Sequence, residues 1–349
     1  MTASLFSTIY SPPPAKSPWT LAEKIPAREL RYFSFGRRAL AAGLRAIRLK
    51  AGDAVLLPSL ICRDLLSSLA DVGARPLFYP VAPSLRPAQE PAHWPRARAV
   101  IAVNYFGFAQ DLEPFRAYAA RTGAVLIEDN AHGFLSKDDR GSALGTRAEL
   151  GLFSVRKTLP LPNGAALAFC GESSRWDIPP PSPFEPRADA RLKIKSSIRA
   201  VARIAGPNAA LAALRLARRA RAIVCGYRIP PPDADAESVL PEPARAAAGL
   251  AGPIFCADPE LEAQRRRALY DCLADTMKNA GFSHVFERLP DQTVPYAYPF
   301  RASGARAEEA IRLLSRLGIE PLPWPDLPFS EIPAAPAHYR DMWLAHFLW

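Results

Sequence analysis

ARAVIAVNYFGFAQDLEPFRAYAARTGAVLIEDN, residues 97–130, is the stretch on which the fold turns. ARAVIAVNYF is an apolar, strand-like run. DLEPFRAYAARTG has the acidic first turn and the glycine stop of a helix, and AVLIED is a second strand, closing on the carboxylates Glu128 and Asp129. Upstream, RRALAAGLRAIRLK follows Gly36 and puts Leu40, Leu44 and Ile47 on one helix face. AGDAVLLP reads as a turn and a buried strand, LICRDLLSSLADVG as a helix stopped by Gly73, and PLFYPV as another strand. Downstream, an apolar strand leads into FSVRKTLPLPNGAALAF, residues 153–169. Strands that alternate with helices predict an α/β fold: a mostly parallel sheet between helices, with ligands bound beyond the carboxyl ends of the strands.

A chain of 349 residues has room for two lobes. The large domain is expected over 1–175. Residues 176–245 hold proline-rich linkers, RWDIPPPSPFEPR and IPPPDADAESVLPEP, around a basic helical segment. A smaller C-terminal α+β lobe over 246–349 contains the helical run 260–280, the strand candidate TVPYAYPFRA and the helix ARAEEAIRLLSRLG. The ten Lys and Arg residues between Asp189 and Asp233 equal the net charge of +10, so the basicity belongs to that one segment. A basic helix over 191–228 could lie on anionic lipid or meet nucleic acid, but aromatic residues are sparse there, and a solvated or dimer-facing helix is the favoured reading. Five cysteines without a CxxC pair argue against disulfides and zinc. Neither a secretory leader nor a membrane-length apolar run is visible, so a cytoplasmic protein is expected.

Three places could carry chemistry. Gly36 opens a helix, whose free N–H groups suit a phosphate, although a glycine before a helix is more often only a turn. Asp129 ends a strand with His132 three residues on; most such aspartates merely cap, and most single histidines are structural. Lys157 follows Ser154 at another strand end. With Arg156 beside it, its amine could attack an aldehyde and form a Schiff base, though a loop lysine taken alone is usually a solvated charge.

Order and spacing join the three. FGRRAL, GDAVLLPSL, GARPLFYPV, VNYFGFAQDL, VLIEDNAHGF, the run from ALGTRAEL to LFSVRKTLPLPNGAALAF, and QRRRALY at 264–270 together resemble the DegT-type sugar aminotransferases, fold-type-I enzymes that use pyridoxal 5'-phosphate. The resemblance implies a PLP-transferase-like, cofactor-binding large domain. Lys157 would hold the cofactor aldehyde, Asp129 would face the pyridine nitrogen, and His132 would lie near the phenolic oxygen. Ser154, with the backbone at Gly36 and Arg37, would hold the phosphate. The implied reaction moves an amino group from glutamate or a similar donor to a keto sugar, probably nucleotide-linked, in glycan or polysaccharide biosynthesis, within a homodimer. A cofactor-binding regulator without turnover is the alternative in the same fold.

The pattern departs from the family in five places. Arg37 and Arg38 stand where a small hydroxyl residue usually follows the glycine, and Cys62 falls where relatives often place an aromatic ring. Ser154 and Lys157 are three apart instead of five, Asn163-Gly164-Ala165 replaces an acidic-glycine-glycine turn, and the chain stops at AHFLW, suggesting a shortened second lobe. Related dehydratases carry His in place of this lysine, so Lys157 favours amine transfer.

Overall fold

The computed structural model describes residues 14–161, 163–172, 176–184 and 234–347, with a few isolated positions between 212 and 224. The proposed basic helix over 191–228 thus lies almost wholly outside the described residues.

Seven strands form one sheet in the order β1-β7-β6-β5-β4-β2-β3: β1 Glu29–Phe33, β2 Ala54–Pro58, β3 Arg75–Tyr79, β4 Ala99–Val103, β5 Val125–Asn130, β6 Leu150–Phe153 and β7 Ala165–Phe169. Strands β2 to β6 run parallel, and β7 lies antiparallel between β6 and β1. β2, β4, β5, β6 and β7 are buried along their whole length, as strands covered on both faces must be, which explains the apolar runs of β2, β4, β6 and β7 and of the first half of β5. Helix α1, Gly36–Ala46, buries Leu40 and Leu44 against the sheet; a Cβ at Gly43 would come within 3.2 Å of Leu167. Helix α2, Glu113–Thr122, begins with Glu113-Pro114 and ends on Gly123 in the left-handed conformation, as its sequence signals require.

Two segments differ from the sequence reading. LICRDLLSSLADVG forms only a short turn at Arg63–Leu65 and a helix at Leu66–Ala70. Its first residues stay extended, because the Leu60 carbonyl accepts the Tyr105 hydroxyl and the Arg63 backbone N–H donates to Asp326. The additional edge strand β1 comes from ELRYF, whose residues are all only partly buried and so lack an apolar strand signature.

The C-terminal part is built on helix α3, Pro259–Asn279, and helix α4, Gly304–Arg316, with an antiparallel sheet in the order β8-β10-β9: β8 Ala297–Arg301, β9 Leu322–Pro323 and β10 Met342–His346. Asp258 caps α3 by accepting the Leu261 N–H. One buried stripe on α3 begins with charge, Glu262, Arg265 and Arg266, and continues as Leu269, Tyr270, Leu273 and Met277. These apolar residues share a core with the large sheet, and Phe286 stacks on Phe108, ring centroids 3.6 Å apart.

The loop after β4 joins the two parts. Phe106 and Gly107 both have positive φ, and a Cβ on Gly107 would lie 2.5 Å from the Val294 carbonyl oxygen. That close approach lets the Tyr296 N–H donate to the Phe106 carbonyl at 2.8 Å. Gly107→Ala should therefore destabilise the protein by about 3 kcal/mol, through the backbone clash and the left-handed φ together, read as a lower urea midpoint.

Candidate active site

A cavity of about 120 Å³ opens at the carboxyl ends of β2, β4, β5 and β6. All six residues singled out in the sequence, Gly36, Arg37, Asp129, His132, Ser154 and Lys157, line it, together with Arg156, Cys62 and Trp324. Parallel strands explain the convergence: Asp129 of β5 sits in register between Val103 of β4 and Leu152 of β6, and each chain turns out of the sheet just beyond.

Lys157 closes the turn Val155–Lys157 that follows β6. This turn is fixed at its back by Gly164, whose carbonyl accepts the Arg156 N–H while its own N–H donates to Ser34, just ahead of α1. The Lys157 amine lies 3.0 Å from His132 Nε2. His132 Nδ1 accepts the Phe106 N–H at 3.4 Å, and the imidazole stacks on Tyr296 with centroids 4.5 Å apart. Burial, reinforced by Lys157 and His346, holds the His132 pKa well below the usual histidine value. A neutral imidazole that accepts at Nδ1 carries its proton on Nε2, the atom facing the lysine.

Asp129 is buried and accepts the Ala131 N–H at 2.9 Å, but has no ion pair among the described residues. Burial pushes its pKa above the ordinary carboxylate value, with the Ala131 N–H and the Lys157 charge opposing. Cys62 is pushed up to about 12, chiefly by burial, and stays a thiol.

The two arginines after Gly36 diverge. Arg37 lies 3.5 Å from the Asp64 carboxylate at the cavity wall, whereas Arg38 turns away to the Pro241 carbonyl and Glu242. Arg156 spreads its guanidinium over the Phe35 ring, 5.1 Å from the centroid, and its Nε is buried without a partner. Asn104 belongs to a support beneath the cavity: it donates to Glu128 and accepts from Arg147, whose guanidinium also donates to the fully buried Glu128.

Sequence reasoning gave no role to Arg266, the largest fully buried side chain. It bonds Glu262 at 2.7 Å, donates to the Pro295 and Tyr296 carbonyls, and donates at 3.2 Å to the carbonyls of Lys157 and Thr158. One guanidinium therefore holds both the lysine turn and the segment that stacks Tyr296 on His132. Its signal in sequence was faint: Glu262, Arg265 and Arg266 at helical spacing, which reads equally well as a solvated i,i+4 pair. Glu262 offsets both arginines; burial would raise its carboxyl, yet the two guanidiniums hold it below the usual value.

Two outcomes follow from these charges. Glu262→Ala, which strands two buried guanidiniums, should cost about 3–5 kcal/mol in urea unfolding. Because the folded state raises the Asp129 pKa, it binds that proton more tightly than the unfolded chain, and stability falls as pH rises from the ordinary carboxylate value through the raised one. Asp129→Asn should flatten this acid-side dependence and raise the urea midpoint of the ligand-free protein at pH 7.

Residues 21–167 match the DegT/DnrJ/EryC1/StrS aminotransferase family. The L-glutamine:2-deoxy-scyllo-inosose aminotransferase of Streptomyces kanamyceticus is 34% identical over 137 residues, which are 38% of this chain and 31% of that protein. The matched region spans about a third of the length of the curated relatives. Among solved structures, the aminotransferase TlmJ from Streptoalloteichus hindustanus superposes with a TM-score of 0.58 at 16% identity, covering 99% of this chain and 85% of that one. The E. coli GDP-4-keto-6-deoxy-D-mannose-3-dehydratase, whose structure holds hydrated PLP, gives 0.55 at 14% identity, covering 94% and 83%. These likenesses extend the shared fold over nearly the whole chain. Residues 21–167 are thus similar to the DegT/DnrJ/EryC1/StrS aminotransferase family, and the remainder of the chain shares the fold of its solved members.

Proposed function

We propose that this chain is a pyridoxal-phosphate-dependent aminotransferase that moves an amino group from an amino acid to a cyclic keto sugar. The observation that carries the reading is the meeting, in one cavity, of the Lys157 amine, a neutral His132 and the Asp129 carboxylate. The residues present suit the cofactor. Asp129 is a buried anion with no ion pair among the described residues, and a protonated pyridine nitrogen is the kind of cation that would offset its burial. When bound, pyridoxal phosphate supplies an electron sink for the charge left as a proton departs from the substrate's α carbon.

The chain's own groups have separable tasks. Lys157 would hold the aldehyde and, once displaced by a donor amine, take up and return a proton at Nζ. His132 Nε2 lies 3.0 Å from that nitrogen and orients it in the cavity. Arg266 fixes the backbone carbonyls on either side of the lysine's peptide link to Thr158, which limits how far the amine can wander.

The curated relatives are named for inosose acceptors with L-glutamine as donor, and the dehydratase for a GDP-linked keto sugar. A ketone on a hydroxylated ring is what these names share, and it supports the keto-sugar reading. Finer parts of the proposal are a nucleotide-linked acceptor in glycan or polysaccharide synthesis, glutamate as donor with glutamine as competitor, and a cytoplasmic homodimer. Residues 1–175 would bind the cofactor, and 246–349 would form the lobe that clamps the lysine turn. No helix among the described residues is long and apolar enough to cross a membrane.

Incubated with pyridoxal phosphate, the purified chain should develop a visible absorption band that borohydride bleaches, with the reduced adduct mapped by mass spectrometry to Lys157. Lys157→Ala should lose the band. Asp129→Asn should keep it but transfer amine from L-glutamate or L-glutamine to a keto sugar at least about 100-fold more slowly. A colourless parent chain, or a Lys157→Ala protein that keeps the band, would refute the proposal.

A further inference from the structure

Arg156 is a cation placed where proteins seldom leave one. It lines the cavity, and its guanidinium makes no hydrogen bond and no ion pair among the described residues. It lies over the ring of Phe35, the residue preceding α1, 5.1 Å from the centroid. Arg37 adds a second positive charge nearby, and the closest acid, Asp64, is already engaged with Arg37 at 3.5 Å. The position is imposed by the backbone. The Arg156 N–H is tied to Gly164 and Gly164 to Ser34, so the arginine is carried on the same framework that fixes the start of α1. A guanidinium packed against a ring has less freedom left to lose, and its fork matches a phosphate in two parallel hydrogen bonds.

We propose that Arg156 is the charged hydrogen-bond donor for the phosphate monoester of the ligand in this cavity, acting beside Ser154 and the backbone N–H groups at the start of α1. This assignment rests on the cofactor reading given above. It adds to the phosphate grip a residue that sequence comparison leaves without a role. It also accounts for the shortened spacing: with Ser154 and Lys157 only three apart, the single turn between them brings Arg156 to the cavity wall with Ser154. Across the cavity Asp129 carries the opposite unpaired charge, so a ligand with a cationic ring nitrogen and an anionic phosphate meets both.

The test compares two ligands that differ only in the phosphate. Parent and Arg156→Met proteins are titrated with pyridoxal phosphate and with pyridoxal, following the borohydride-sensitive band. Arg156→Met should bind pyridoxal phosphate about 10- to 100-fold more weakly, the loss of one charge-assisted contact, and pyridoxal as the parent does. Arg156→Lys should recover part of the loss. In the parent, inorganic phosphate should compete with pyridoxal phosphate and protect Arg156 from phenylglyoxal, located by peptide mapping; this measurement stands even if Arg156→Met does not fold. Equal affinities in parent and variant, an equal loss for both ligands, or labelling of Arg156 unaffected by phosphate would overturn this assignment and leave the aminotransferase reading intact. An effect confined to the KM of the amino donor would move the arginine to the substrate carboxylate and likewise overturn it. A parent chain that forms the band with neither ligand would overturn both.

Discussion

Two charges of opposite sign, Asp129 and Arg156, line one cavity, and among the described residues neither has an ion-pair partner. Asp129 is buried and Arg156 partly so, and an unpaired charge withdrawn from water costs free energy because nothing replaces the lost hydration. A fold keeps such a cost only where something else supplies the partner. The carboxylate sits at the end of the most central stretch of the sheet and the guanidinium on the turn after the neighbouring strand, so the parallel sheet itself sets the two poles. The constraint also selects a ligand: a small planar molecule positive at one end and negative at the other neutralises both poles, whereas an anion or a cation alone leaves one exposed. Binding should therefore return stability in proportion to ligand concentration over its dissociation constant.

The reactive amine is governed by a different set of contacts. His132 touches it directly, Tyr296 and Phe106 hold His132, and Arg266 holds the segments that carry Tyr296 and the lysine. Large sheet and C-terminal part thus meet in one buried guanidinium whose carbonyl acceptors span residues 157 to 296. Such an arrangement makes the C-terminal part integral to the site. It also explains why a charged triad is kept in the first turns of α3, where leucines would pack more cheaply: leucine offers no donors, and four backbone carbonyls would lose their partner.

Much of the fold was legible because its elements are strongly patterned. β4, α2 and β5 announce themselves by apolar runs, an acidic helix start and a glycine stop. ELRYF was missed because an edge strand that is nowhere fully buried has no periodic apolar signal, and the helix expected over 60–73 shrank because Leu60 and Arg63 answer to Tyr105 and Asp326, distant in sequence. At the site, Asp129, His132 and Lys157 were found through family resemblance and the rule that strand ends carry ligands. The cavity brings all six named residues together; their roles remain the proposal's. Arg156 was noticed only as a charge beside Lys157, and Arg266 escaped, because an arginine in a loop or on a helix reads as solvated. What makes them informative is burial, and burial depends on Phe35, Gly164 and the carbonyls of other segments, none of which local pattern reveals.

The arrangement around Lys157 carries one more consequence. Were His132 positively charged, it would repel an ammonium and could not accept from one; held neutral by burial and with Nδ1 occupied by the Phe106 N–H, it offers Nε2–H instead. Burial of the ring thus sets which imidazole atom the lysine meets. Asp129 makes no ion pair with Lys157 among the described residues, which leaves its carboxylate available to a ligand.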